Sequence, residues 1–202
     1  EENKLVRDNF SFGSRTTLSN KLSLNTSVLY SKTVDTRPTR NFFTLLTWIP
    51  RNLDIHNLPY QDPNDGSSVY YRVTITNPIW QQKNSQFKED ADRLFMKAQL
   101  DYELNDNIKL SYLYSNDYYN ELNRDYQNKG GADSPLGYLN TFDDKDRITT
   151  HRASVNIDNL SISESVGLTG VAGFESKNQT ASIIGLSSED QVVFDFINHN
   201  NF

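Results

Sequence analysis

Apolar side chains recur at every second position in six runs of the chain. In the first, Phe10, Phe12, Thr16 and Leu18 alternate with Asn9, Ser11, Gly13, Arg15 and Thr17. Past the break at Ser19-Asn20-Lys21, Leu22, Leu24, Thr26, Val28 and Tyr30 alternate with Ser23, Asn25, Ser27 and Ser31. A third run sets Leu94, Met96, Ala98, Leu100, Tyr102 and Leu104 against Arg93, Lys97, Gln99, Asp101 and Glu103. After Asn105-Asp106-Asn107, Ile108, Leu110, Tyr112 and Tyr114 oppose Lys109, Ser111, Ser115 and Asp117. The last two runs alternate more loosely around Ala153, Val155 and Ile157, then around Leu160, Leu168, Ala172 and Phe174, with Asp158-Asn159 as the expected turn between them. Alternation at 180° per residue places each set on one face of a strand. The strands are expected at about 8–19, 21–32, 91–104, 108–119, 147–157 and 160–176.

The connections carry the next inference. Tight turns around Asn20, Asp106 and Asn159 alternate strictly with long stretches at about 33–90, 120–146 and 177–202. Every tight turn therefore falls at one end of the sheet and every long loop at the other. Compact soluble domains seldom hold structureless loops longer than about 15 residues. Outer-membrane barrels have short periplasmic turns and long extracellular loops. The expectation is an all-β antiparallel meander of about six strands, part of a transmembrane β-barrel, one face on lipid and the other on a wet lumen. Tyr30, Tyr112, Tyr114, Tyr118 and Tyr119 are expected near the long-loop ends, where an amphipathic ring suits the headgroup level. Six strands cannot close even a barrel of eight, so the 202 residues are expected to be an internal slice of a longer chain, without a plug domain.

Composition changes the picture less than it first promises. Hydrophobic residues make up 36% and mean hydropathy is −0.68, which resembles a soluble protein, but alternation and polar loops give a barrel the same average. With no cysteine, a disulfide scaffold, a thiolate zinc site and a cysteine nucleophile are all excluded. A net charge of −6 without a basic block argues against nucleic acid as a partner.

Several segments carry a resemblance. Asn9-Phe-Ser-Phe, Leu18-Ser-Asn-Lys-Leu-Ser-Leu and Val28-Leu-Tyr are similar to a hairpin of the SusC/RagA-like TonB-dependent outer-membrane transporters. Asn77-Pro78-Ile79-Trp80 resembles the Asn-Pro-aromatic-Trp element of that family's long loop. Asp90 and Asp92-Arg93 then lead into Leu100-Asp-Tyr-Glu-Leu and Ile108-Lys-Leu-Ser-Tyr, and Gly173-Phe174-Glu175 resembles a later strand ending in Gly-x-Glu. The resemblance implies a 22-stranded barrel with an N-terminal plug in the outer membrane of a Gram-negative bacterium. It also implies import of glycans or oligopeptides, a SusD-like surface lipoprotein as partner, and energy from the TonB–ExbB–ExbD complex. The competing expectation is a soluble, secreted β-sandwich that binds carbohydrate.

No residue set has the spacing of a catalytic site. His56, His151 and His199 are scattered without metal-ligand spacing, and no Gly-x-Ser-x-Gly elbow occurs, so the chain is not expected to be an enzyme. No cofactor or metal ligand is assigned, although calcium in the extracellular loops stays open. Asp62-Pro-Asn-Asp-Gly66 has calcium-loop composition but lacks a bidentate glutamate, and reads first as a turn on Pro63 and Gly66. Asp143-Asp-Lys-Asp146 reads as a solvated acidic loop. Residues 41–51, Asn-Phe-Phe-Thr-Leu-Leu-Thr-Trp-Ile-Pro-Arg, predict a short helix ended by Pro50. If cargo touches the loops, the aromatic platforms are Trp48, Tyr60, Tyr70, Tyr71 and Trp80. The lumen-lining candidates are Arg93, Lys97, Asp101 and Lys109.

Overall fold

The computed structural model describes residues 3–38 and 42–202. Six strands, β1 (Lys4–Ser19), β2 (Leu22–Arg37), β3 (Ser85–Asn105), β4 (Ile108–Gln127), β5 (Tyr138–Ser163) and β6 (Val166–Glu189), form one antiparallel sheet in the order of the chain. Each strand pairs only with its sequence neighbours, as tight turns dictate. The six strands do not divide into two layers, so the described chain forms no sandwich. Two short helices, α1 (Phe42–Thr47) and α2 (Pro78–Asn84), lie in the β2–β3 connection. The helix expected from residues 41–51 is therefore present as α1; Asn41 and the side chain of Phe42 lie outside the described residues.

The strands are longer than the alternation predicted, at 16–26 residues. Membrane spans need only about 9–11. Most of the extra length lies at the long-loop end, where apolar residues no longer alternate regularly with polar ones; β5 also runs on to Ser163 at the tight-turn end. All three expected loops shrink as a result: 33–90 reduces to 38–84, 120–146 to 128–137, and 177–202 to 190–202. Asp143 to Asp146 lie inside β5, paired with β4 and β6, and form no acidic loop.

The β5–β6 turn is also displaced. Asp158-Asn159 is a bulge within β5, and the chain reverses at Glu164-Ser165. Asn159 has φ +46°, a left-handed conformation that Asn adopts readily in turns and bulges alike. Asn107 secures the bulge, its Nδ2 donating to the carbonyls of Asp158 (2.9 Å) and Asn159 (3.1 Å).

The two faces differ in kind. One carries Phe10, Phe12, Leu24, Val28, Leu94, Met96, Leu100, Tyr112, Val155 and Phe174; the other carries Asn25, Ser27, Arg93, Lys97, Asp101, Ser111, Asp117 and Glu175. Tyr30, Tyr112, Tyr114 and Tyr118 belong to the apolar face. Tyr119 is a correction: it lies on the polar face, its hydroxyl bonded to the Glu121 carboxylate. The strand extensions also leave all five tyrosines within the strands rather than near their long-loop ends.

Among the described residues no second layer covers the apolar face. Phe10 is 62%, Phe12 58% and Phe174 71% exposed. The accessible surface is 13454 Å², whereas a compact monomer of 23.2 kDa exposes about 9,700 Å².

The apolar band also runs obliquely. The main band's upper limit follows one hydrogen-bonded row, Phe10–Tyr30–Leu94–Tyr118, through β4, then drops three rows to Ala153 on β5 and Phe174 on β6; Val6, Val34, Leu122, Ile184 and Leu186 lie beyond it on the same face, scattered among polar residues. The three tight turns step down in the same direction, the β5–β6 hairpin reaching furthest. Three rows are six residues, about 20 Å at ~3.3 Å each, against five strand spacings of about 24 Å. Averaged over the sheet, the band is inclined by about 40° to the hydrogen-bonding direction.

Candidate functional site

The polar face is organised around Asp101, which is 5% exposed. Four neighbours reach its carboxylate. Ser111 Oγ donates to Oδ1 (2.6 Å), Gln99 Nε2 to Oδ1 (3.0 Å), Asn25 Nδ2 to Oδ2 (3.3 Å), and Lys109 Nζ lies 3.5 Å from Oδ2. These donors come from β2, β3 and β4, so the sheet register assembles them. Six residues up β3 from Gln99, Arg93 grips Asp117 with two bonds, Nε–Oδ1 at 2.9 Å and Nη2–Oδ2 at 2.6 Å. Lys97 projects between these two clusters. All four residues singled out for this face therefore share it.

The larger buried apolar side chains gather in a layer at the long-loop end, where the loops meet the strand ends. Leu45, Ile75, Trp80 and Leu139 are its apolar centre. Asn77 explains why Asn-Pro-Ile-Trp folds as it does. It caps α2 by accepting from Ile79 N (2.8 Å), Pro78 fills the first helical turn, and Asn77 Nδ2 donates to Val69 O (2.9 Å). That helix aims Trp80 inward, where Nε1 donates to Gly66 O at 2.7 Å.

Three connections are stitched together around it. Ser68 N donates to Gly130 O (2.9 Å), Asn128 N to Asn84 O (2.8 Å) and Gln191 N to Leu136 O (2.8 Å). Buried amides complete the layer: Gln81 Nε2 donates to Gln127 Oε1 (2.9 Å) and Gln191 Nε2 to Asn128 Oδ1 (2.9 Å). Gly66 and Gly130 adopt φ +78° and +99°, and a Cβ on Gly66 would sit 2.6 Å from the Phe194 ring.

The aromatic platforms separate into three environments. Trp80 is fully buried, so it cannot stack on a cargo; its part is to hold the loops together. Trp48 and Tyr71 are 55% and 48% exposed, joined by a bond from Tyr71 Oη to Trp48 O (3.1 Å), and the Tyr70 ring meets Tyr71 edge-on at 4.5 Å. Burial raises the Tyr70 hydroxyl above its ordinary pKa, so it stays neutral.

Tyr60 lies apart, under Lys83, whose Nζ donates to its hydroxyl at 2.9 Å. Tyr60 lines an open groove of about 580 Å³ together with His56, Leu58, Asp65, Gly66 and Phe194. The Asp62–Gly66 segment beside it is a turn: Gly66 N donates to Asp62 O (3.0 Å), and Asn64 N donates to Asp62 Oδ1 (2.8 Å). The Ser67 side chain and backbone N–H hold the Asp65 carboxyl below the usual carboxylate range. Among the described residues no cluster of three or more potential ligands could hold a metal.

Phe194, Gln127, Asn128 and Gln191 escape sequence reasoning, because isolated Asn and Gln in polar stretches read as solvated loop. Only Asn77-Pro78-Ile79-Trp80 carries a local signal, an N-cap before proline. Among the described residues no helix is long and apolar enough to cross a membrane, which leaves strands untouched as a means of crossing. No protein-family model matches the chain, and no curated protein matches it.

Proposed function

We propose that the sheet is a section of a transmembrane β-barrel in the outer membrane of a Gram-negative bacterium. On this reading the chain works within a SusC/RagA-like TonB-dependent transporter of 22 strands. The observation that carries the barrel reading is the incline of the apolar band. A sheet packed on a second protein layer has no reason to cut its apolar face at about 40° to the strand rows, whereas strands in a barrel tilt by about 35–45° against a flat bilayer. The polar face then lines the lumen, with Arg93, Lys97, Asp101 and Lys109 on its wall.

The loop layer lies on the outside, where Trp48, Tyr60, Tyr70 and Tyr71 offer rings to a glycan or oligopeptide. A SusD-like lipoprotein closes over it, and the TonB–ExbB–ExbD complex drives passage through parts of the protein beyond this sheet. The work is transport, with no covalent chemistry. Fractionation of cells expressing the full-length protein tests the reading. The protein is expected in the outer-membrane fraction, extracted only by detergent, with cargo uptake abolished by deletion of TonB. Recovery as a detergent-free monomer in the soluble fraction refutes it.

A further inference from the structure

Above the apolar limit, the same face carries charge in a pattern of its own. Six residues beyond the limit on each strand stand Lys4 (from Phe10), Thr36 (from Tyr30), Lys88 (from Leu94), Arg124 (from Tyr118), Arg147 (from Ala153) and Thr180 (from Phe174). Four are cations, two are hydroxyls, and none is an acid. The level follows the inclined limit rather than a hydrogen-bonded row: Lys88 and Arg124 share one row, while Arg147 lies three rows lower. Geometry therefore makes it a belt parallel to the edge of the apolar band. Its height is about 15 Å above that edge, six residues of ~3.3 Å inclined by about 40°.

The belt lacks counter-charges. Lys88 and Arg124 stand directly opposite one another across β3 and β4, a like-charge pairing that destabilises a sheet unless an anion lies between them. Most acids nearby on this face already have a cation: Lys32 holds Asp90 (3.4 Å) and Asp92 (3.8 Å) and also stands opposite Asp8, and Lys145 holds Asp143 (2.5 Å). Arg147 lies over the Tyr118 ring, its guanidinium carbon 5.3 Å from the centroid. Among the described residues, none of the four belt cations forms an ion pair. The chain as a whole carries −6, so this concentration of unpaired cations runs against the composition.

We infer that the belt docks a phosphorylated saccharide headgroup of an outer-leaflet glycolipid. The inference rests on the membrane reading proposed above. A headgroup of a few sugar units reaches about 15 Å beyond the acyl chains that would cover Phe10, Leu94 and Phe174. Phosphate oxygens accept charge-assisted bonds from Lys and Arg, bidentate for Arg, and sugar hydroxyls pair with Thr36 and Thr180. Anchoring at this height fixes the strands' rotation in the leaflet.

Native mass spectrometry of the full-length protein in detergent tests it with three probes: an acylated glucosamine disaccharide extended by several phosphorylated sugar units, its dephosphorylated counterpart, and inorganic phosphate. Wild-type protein is expected to retain the phosphorylated lipid at least tenfold better than the dephosphorylated one, and millimolar inorganic phosphate is expected not to displace it. The triple variant Lys88→Gln, Arg124→Gln, Arg147→Gln loses that preference while keeping its outer-membrane fraction and melting temperature. Equal retention of both lipids, an unchanged preference in the triple variant, or displacement by inorganic phosphate overturns the inference. A second variant, Lys97→Gln on the opposite face, leaves the preference unchanged; a loss there also overturns it. Protein found in the soluble fraction would instead sink the membrane reading itself.

Discussion

Replacing Trp80 by alanine separates a structural role for this ring from a cargo platform. The side chain is fully buried and donates to Gly66 O at 2.7 Å. An indole buries about 200 Å², worth about 5 kcal/mol at ~25 cal/mol/Å². Large-to-small core substitutions at Trp measure about 3–5 kcal/mol once partial collapse is included. The carbonyl left without its donor adds about 1 kcal/mol. A loss of about 4 kcal/mol therefore falls on the loop layer, because Trp80 bonds Gly66 in one connection and lies against Gly131 in another. Hydrogen exchange on the full-length protein reads this directly. The amides of Ser68, Ile79 and Asn128, which bond Gly130 O, Asn77 Oδ1 and Asn84 O, are expected to exchange about a thousandfold faster. Amides of Leu100 and Tyr112, in the middle of the sheet, are expected to stay unchanged. Acceleration of less than tenfold at the three loop amides, or equal acceleration in the strands, refutes the reasoning.

Other perturbations have separate readouts. Asp101→Ala strips the acceptor from Ser111, Gln99 and Asn25 and should cost about 2 kcal/mol in a denaturant melt, while Lys109→Gln, at an ion that is 42% exposed, should cost under about 0.5 kcal/mol. Gly66→Ala forces a left-handed residue and a contact with the Phe194 ring, so local opening of the loop layer should become easier by about 2 kcal/mol in hydrogen exchange. Tyr138 is pushed up to about 12 by burial, with Asp125 adding to it. Its folded value exceeds the unfolded one of about 10, so its contribution is complete below pH 10 and lost as pH rises toward 12. A pH series of loop-layer exchange should show that loss, and Tyr138→Phe should remove its pH dependence.

How much was legible depended on where period two survives. Inside the apolar band one face must shed water and the other need not, so Leu22 to Tyr30 and Leu94 to Leu104 announce their strands. Above the band apolar residues no longer alternate regularly with polar ones, and Asp143-Asp-Lys-Asp146 looks like a loop while hydrogen-bonding as a strand. Asn159 misled for a different reason, since a left-handed Asn serves a bulge as well as a reversal. Trp80 was visible as an aromatic but not as a buried one. Its burial depends on residues brought from three loops, including Gly66 and Gly131, that no local pattern links to it. Arg93, Lys97, Asp101 and Lys109 were legible because parity alone puts a residue on a face.

Spin labels test the membrane account most directly, and no cysteine among these 202 residues competes with an introduced one. One hydrogen-bonded row, Phe12–Val28–Met96–Asn116–Thr149–Asn178, crosses the inclined limit. Labels at Val28→Cys and Met96→Cys in the full-length protein are expected to favour oxygen over a water-soluble nickel relaxant, as in hydrocarbon. Labels at Thr149→Cys and Asn178→Cys, on the same row, are expected to favour nickel, as does Lys97→Cys on the opposite face. Uniform accessibility along that row, or aqueous exposure at Val28 and Met96, would contradict a tilted sheet in a bilayer.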